Sequence, residues 1–407
     1  MADKLKGNLV VGQSGGPTAV INSSLAGVVE EAKKYSHISE IYGMLYGIEG
    51  VLNEDLVDLR KESESTIRGL TSTPSSALGS CRHKLDPEDY ARILNTLRAH
   101  DIRYFFYIGG NDSMDTSHRI SQISQKEGYE LRVIGVPKTV DNDLKATDHS
   151  PGYGSVARWV ATSTIEAGLD AAAIGIVDKV KIIEVMGRDT GWIAAATTLG
   201  KRSEDDPPHL TYVPEIPFND EKFIEDIRSA CSRLGFCVVT ACEGLRDESG
   251  EPVVASKRSI DTDAFGHRQL GGVADYLCQL VASRLNLKAR FDRPGTIQRV
   301  SMALASKVDL KEAYLVGQVA VKQAVKGETD RMITLVREPS SSYRCTTGLV
   351  ELEKVANSTK SLPRGFINNE GNGMTEEFHR YAIPLVGDPL PEYVKLNKIP
   401  VPKKVRI

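Results

Sequence analysis

NLVVGQSGG, residues 8–16, holds the fold in miniature. Leu9, Val10 and Val11 form a short apolar run of the kind found in strands buried on both faces. The run breaks at 13–16 (QSGG), a glycine-rich turn, and residues 22–34 then place apolar side chains at helical spacing. Strand, turn and helix make the first half of a βαβ unit. The pattern recurs. YFFYI (104–108) runs into Gly109 and Gly110, and LRVIGV (131–136) stops at Pro137. VKIIEV (180–185) and FCVVTA (236–241) repeat it after further helical stretches. Strands alternating with helices predict an α/β chain built on parallel, doubly wound sheets. In such sheets ligands bind where the carboxyl ends of strands meet loops.

Composition sets the frame. With 407 residues the chain can hold two or three domains with sizeable cores. Its 41% hydrophobic and 26% charged residues suit a soluble globular protein rather than a disordered or fibrous one. A net charge of −3 gives no global attraction to nucleic acid or to an anionic membrane. No apolar run reaches the roughly 18 residues of a spanning helix. The six cysteines form neither a CxxC pair nor a metal-ligand spacing, and MADKLKGNLVVG enters a strand without a long apolar signal region. The expectation is a protein of the reducing cytoplasm, with no nucleic-acid or membrane partner. DDPP at 205–208 and the stretch 246–259 read as surface loops, and 271–285 as a helix. The tail from about 350, ending in PVPKKVRI, reads as an irregular extension.

Three polar clusters sit at predicted strand ends. Glycines at 15 and 16 let backbone N–H groups approach a phosphate at the start of a helix, although the same turn could be merely tight. GGNDS at 109–113 repeats strand, glycines and helix. PKTVDND at 137–143 sets two carboxylates two residues apart beside a hydroxyl and an amine. An Asx-rich turn is one reading of it. A phosphoryl-transfer centre is the other, with one Asp as base, another toward Mg²⁺ and the lysine on phosphate.

Together these clusters resemble the phosphofructokinase family. SGGP (14–17), GGNDS (109–113) and PKTVDND (137–143) are followed, in the family's order, by EVMGR (184–188), EG (243–244) and GTIQR (295–299). The resemblance implies two Rossmann-like three-layer α/β/α domains with a cleft between them, plus a C-terminal extension. Residues 1–152 with about 298–348 would bind the phosphoryl donor, 153–297 the sugar phosphate, and 349–407 would form the extension. It also implies roles. Asp141 would take the proton from the 1-hydroxyl of fructose 6-phosphate. Gly15, Gly16, Gly110 and Asp112 would line the donor site, and Arg82 would contact the donor. Thr139 and Asp143 would support the transferring phosphate, with Asp112 and Asp143 toward Mg²⁺. Met186, Gly187, Arg188 and Glu243 would contact the sugar phosphate, while Arg290 and Arg299 would grip its 6-phosphate. Lys179 stands where the family usually has a phosphate-binding arginine. Thr296 replaces a family histidine, and Asn111 an aspartate associated with the metal.

Two positions bear on the donor. ATP-using relatives typically have glycine where this chain has Asp112, and PGT where it has PKT, with Lys138. A carboxylate beside the α-phosphate of a nucleotide costs about 4 kcal/mol at 4 Å and an effective dielectric of 20. That is roughly a thousandfold in affinity. Lys138 adds a cation suited to a bare phosphate and to the charge that develops in transfer. The expected reaction is therefore reversible transfer from pyrophosphate to fructose 6-phosphate, serving glycolysis or gluconeogenesis, with ATP as the alternative donor. Relatives are homodimers or homotetramers in which some sugar-phosphate contacts cross between subunits, and the same is expected here.

Overall fold

The structure is a computed structural model that describes residues 5–81, 83–254, 272–340 and 342–404. It contains two sheets. The first takes β1 (Gly7–Gln13), β2 (Ile38–Met44), β3 (Leu56–Asp58), β4 (Ile102–Gly109) and β5 (Arg132–Pro137). The second takes β6 (Val180–Val185), β7 (Leu210–Tyr212), β8 (Cys237–Cys242) and β9 (Ala289–Asp292). The chain then returns to the first sheet with β10 (Arg331–Arg337) and β11 (Cys345–Glu351).

Strand order in the first sheet is β11-β10-β5-β4-β1-β2-β3, and in the second β7-β8-β6-β9. Only β3 and β11, at the two edges of the first sheet, run antiparallel to their neighbours. The sheets are thus the parallel, helix-covered kind that the alternating pattern predicts, and their central strands are buried almost throughout. From β1 the chain builds outward to β2 on one side; from β4 it builds to β5 on the other. The reversal opens a crevice between β1 and β4, whose register pairs Gln13 with Ile108. The turns at 14–16 and 110–113 leave the sheet on either side of it.

One buried carboxylate fastens the two halves where the chain crosses. Asp309, in the helix Lys307–Val325, accepts from the backbone N–H of Gly152 at 2.9 Å and of Ser155 at 2.8 Å. Those groups are free donors at the start of the helix Tyr153–Ile174, which leads to the second sheet.

The tail differs from its expected irregular character. It carries the helix Glu376–Val386, and its apolar side chains enter both cores. Leu352 and Val355 pack with the first sheet; Leu362, Ile367, Phe378 and Leu385 pack with the second. Short apolar runs broken by Gly and Pro hide this role, because each buries only against a distant part of the chain. Helix 271–285 is found as Val273–Leu285 among the described residues. No helix among them is long and apolar enough to cross a membrane, and all six cysteines are free.

Candidate active site

Five parallel strands end at one cavity of about 840 Å³. β1 delivers Ser14, Gly15 and Gly16; β4 delivers 110–113; β5 delivers Lys138, Thr139, Val140, Asp141 and Asp143. From the second sheet β6 brings 186–190 and β8 brings Glu243. Thr296 and Arg299 add to the wall. A single cavity thereby gathers residues from Ser14 to Thr359, and it lies between the two sheets.

The segment after β5 is held so that its two aspartates face inward. Asn142, fully buried and in the left-handed region (φ 52°), turns the other way. Its Nδ2 donates to Tyr381 Oη at 3.0 Å, and its Oδ1 accepts from Ser150 N at 3.0 Å and Lys360 Nζ at 3.3 Å. The backbone N–H of Asp141 donates to Thr139 Oγ1 at 3.1 Å. Burial and the neighbouring Asp143 raise the Asp141 carboxyl well above the ordinary carboxylate range. Burial raises Asp143 as well. A base that holds its proton more firmly than a free carboxylate is suited to accept one from an alcohol near neutral pH.

Lys138 is the opposite charge. Its Nζ donates to Gly16 O at 3.0 Å, which ties β5 to the glycine turn. Burial, with Arg299 close by, lowers its pKa to about 7. Arg299 lies against the same turn: a Cβ on Gly16 would stand 2.7 Å from its Nη1. The resemblance assigns Arg299 to the sugar 6-phosphate; its guanidinium also borders the glycine turn, beside Lys138.

The second-sheet loops meet by close backbone approach. A Cβ on Gly244 would fall 1.6 Å from Arg188 O, so only glycine lets the strand end pass. Arg188 itself is in the left-handed region (φ 50°), and its N–H points to Glu243 Oε1 at 3.4 Å. Burial raises the Glu243 carboxyl. Gln298 Oε1 accepts from Met186 N at 3.2 Å, and Gly187 lines the floor beside it. Glu184, the other acid of EVMGR, points out of the cavity; it receives Ala274 N at 2.8 Å and pairs with Arg293 at 3.2 Å.

Two expected residues are not brought here. Lys179 precedes β6 and Arg290 is second in β9, at the amino ends of strands whose carboxyl ends face the cavity. Lys179 Nζ donates to Gly235 O at 3.0 Å, and Arg290 pairs with Asp178 at 2.5 Å. The physical reason is strand direction. A site at one end of a parallel sheet is out of reach of residues at the other. Arg82 lies outside the described residues, as does 255–259 of the expected 246–259 loop.

Other residues at the cavity carried no local signal. Thr190 Oγ1 donates to Asp141 O at 3.2 Å. Arg246 and Glu251 line the second-sheet side, and Asn357, Ser358 and Thr359 come from the tail. Behind them Lys360 Nζ donates to Asp148 O at 2.9 Å and Thr147 O at 3.2 Å, while its own N–H donates to Asp143 O at 2.7 Å. An asparagine-serine-threonine run in an irregular stretch reads as loop, and only the packing of Leu352 and Val355 puts it at the cavity.

Three buried oxygens bear on a metal. Among the described residues, Asn111 Oδ1, Asp141 Oδ1 and Asp143 Oδ1 have no hydrogen-bond partner. Unpaired buried oxygens are costly, and hard cations such as Mg²⁺ take oxygen ligands. The donor set fits a divalent cation.

A sequence model of the family described as Phosphofructokinase matches residues 8–324. The chain belongs to the phosphofructokinase family. Relatives within that family are similar over nearly the whole length. A protein of Halomonas elongata named pyrophosphate–fructose 6-phosphate 1-phosphotransferase is 44% identical, covering 98% of each chain. One of the same name from Xanthomonas campestris is 43% identical, again over 98% of each. The crystal structure of a pyrophosphate-dependent phosphofructokinase from Marinobacter aquaeolei superposes with a TM-score of 0.85 at 42% identity, covering 98% of both chains. The phosphofructokinase fold, mixed α/β with parallel sheets, is thus the fold of this chain.

Proposed function

We infer that this phosphofructokinase moves a phosphoryl group from pyrophosphate to the 1-hydroxyl of fructose 6-phosphate, giving fructose 1,6-bisphosphate and phosphate. The observation that carries the reading is the joint presence of Lys138, Asp141 and Asp112 on one cavity. Asp141 is a base with one oxygen unpaired among the described residues. Lys138 presents a cation at the glycine turn. Asp112 puts a carboxylate where a nucleotide would need its third phosphate. Relatives of that name, alike over 98% of the chain, support the same donor.

Each side chain then has a task. Asp141 accepts the hydroxyl proton as the sugar oxygen attacks phosphorus. The bond to the bridging oxygen breaks in line, and orthophosphate leaves. Lys138 and Arg299 face the charge that gathers on the phosphoryl oxygens; preorganised cations in a buried site act there at little reorganisation cost. Thr139 fixes the Asp141 backbone. Arg188, Met186 and Glu243 orient the sugar, and the glycines at 15, 16 and 110 let phosphate reach backbone N–H groups. Mg²⁺, held by Asp143 and Asn111 with Asp112 alongside, would supply charge neutralisation for the phosphoryl oxygens.

Lys179 and Arg290 fit a second copy of the chain. Beside them Ile176, Val177 and Phe291 are exposed at 87%, 54% and 44%. An apolar patch flanked by two cations suits a homodimer or homotetramer in which these side chains reach the sugar phosphate of the neighbour. A reducing, cytoplasmic setting is part of the same reading, carried by cysteine spacings that offer neither a CxxC pair nor a metal site.

Phosphorus NMR tests the reaction directly. Pyrophosphate and fructose 6-phosphate should disappear together while bisphosphate and orthophosphate appear in equal amounts, and the reverse mixture should regenerate pyrophosphate. Bisphosphate formed only when a nucleotide is added would reject the reading.

A further inference from the structure

Asp112 shares its end of the cavity with a segment of the tail. Residues 357–359 line the cavity together with Asn111 and Asp112, and they are fixed from both sides. Leu352 and Val355, just before them, are fully buried in the first core. Ser358 donates twice to Val355 O, from N at 3.2 Å and from Oγ at 2.8 Å. Asn357 takes the left-handed conformation (φ 56°), and its Nδ2 donates to Asp115 Oδ1 at 3.0 Å. Asp115 lies about one turn beyond Asp112 on the helix Asn111–Lys126. On the far side, Lys360 N is bonded to Asp143 O at 2.7 Å. Residues 357–360 therefore run from the helix that carries Asp112 to the loop that carries Asp143.

The transferring phosphorus must face Asp141, so the rest of the donor points away from it, toward the first turn of that helix. A two-phosphate donor ends there. A nucleoside triphosphate would go on, with a ribose and base, past Asp112 toward residues 357–359, which line the same cavity. We propose that residues 357–359 form a donor-length wall, a specificity-determining segment that excludes the nucleoside of a triphosphate independently of the charge on Asp112. The proposal rests on the pyrophosphate reading above. Its physical content is steric exclusion by anchored backbone, a built-in clash against the competing substrate.

Inorganic tripolyphosphate separates the two obstacles, because it has the third phosphate and no nucleoside. Rates with fructose 6-phosphate are measured for pyrophosphate, tripolyphosphate and ATP. The proteins are the unmodified chain, Asp112→Gly, Asp112→Gly with Asn357→Gly and Thr359→Gly, and Asp112→Gly with Asp115→Ala. Asp112→Gly alone should use tripolyphosphate at least about tenfold better than ATP, and opening the wall should close most of that gap by raising ATP. Asp115→Ala frees Asn357 without changing a lining residue, so it should move the ratio the same way. Inhibition of pyrophosphate turnover by ATP and by tripolyphosphate, in Asn357→Gly and Asp115→Ala as single variants, reads the same ratio with Asp112 intact. Equal gains for ATP and tripolyphosphate in Asp112→Gly, or an unchanged ratio in every opened variant, overturns the wall while leaving the pyrophosphate reading in place. Use of ATP in preference to pyrophosphate by the unmodified chain overturns both.

Discussion

Asn111 and Asp143 are joined by one hydrogen bond, from Nδ2 to Oδ2 at 3.2 Å. The bond uses one amide hydrogen of Asn111 and a single oxygen of Asp143. Among the described residues it leaves Oδ1 of each buried without a partner. An aspartate at 111 would set two like charges together at this point. The amide instead orients Asp143 and still offers a carbonyl oxygen.

The first prediction follows from that pair. Chelation of divalent metal should abolish turnover and added Mg²⁺ restore it. Asp143→Asn should raise the Mg²⁺ concentration for half-maximal rate by about tenfold or more. Titrating metal against initial rate checks this, and an unshifted titration would remove Asp143 as a ligand.

Lys138 sets a pH dependence. Its pKa is lowered to about 7, so in the free enzyme its charge is lost as pH rises through that value. Profiles of kcat/KM for pyrophosphate should fall on the alkaline side. Lys138→Arg, which stays charged, should keep its lower activity flat there. The same shift acts on stability. An unfolded lysine, near 10.4, binds its proton more readily than the folded one, so stability falls as pH drops from about 10 toward about 7. At pH 7, Lys138→Met should therefore raise the melting temperature while lowering the rate. A variant with both an unchanged profile and an unchanged melting curve would mean that Lys138 is not strained by burial.

The backbone contact of Gly244 with Arg188 gives a sharp substitution. Gly244→Ala must displace Arg188 O, 1.6 Å from the new carbon, and with it the arginine at the cavity. Misplacement on the order of an ångström costs about a hundredfold in efficiency. The expected loss is in kcat/KM for fructose 6-phosphate, measured beside a thermal melt. Normal sugar kinetics in this variant would remove the 186–190 loop from the sugar site.

Much of this was legible in the sequence because it depends on local order. A parallel strand buried on both faces must read as an apolar run, so β1, β4, β5 and β6 announce themselves. The residues just after β1, β4 and β5, at 14–16, 110–113, 138–141 and 143, line the first-sheet side of the cavity. Lys179 and Arg290 lie at the amino ends of β6 and β9, away from the cavity of their own chain, and sequence order within one chain does not show which residues meet the cavity of a second copy. Nor can it show contacts made across two hundred residues. The bond of Lys360 to Asn142, 218 positions apart, leaves no trace in either segment. The tail looks irregular for the same reason: its apolar residues are spaced for two different cores.

Lys360 supplies a fourth test. It braces the loop that carries Asp141 and Asp143 through three acceptors, and it lies 5.2 Å from the centre of the Trp192 ring. Burial lowers its pKa to about 8, against the pull of Asp148 and Asp143. Lys360→Met should lower kcat by about tenfold with a smaller change in KM for the sugar, since a positioning residue acts on geometry at the reacting atoms. A rise in KM at constant kcat would assign it to substrate binding instead.

The identity of the donor decides the reaction. Initial rates with fructose 6-phosphate and Mg²⁺, measured in parallel with pyrophosphate and with ATP, test it most directly. Turnover with pyrophosphate and at most a trace with ATP is expected, with Asp112 and, on the proposal above, residues 357–359 excluding a nucleotide. Turnover with ATP at a rate equal to or above that with pyrophosphate would contradict it, leaving the fold and the sugar chemistry but no role for those residues in choosing the donor.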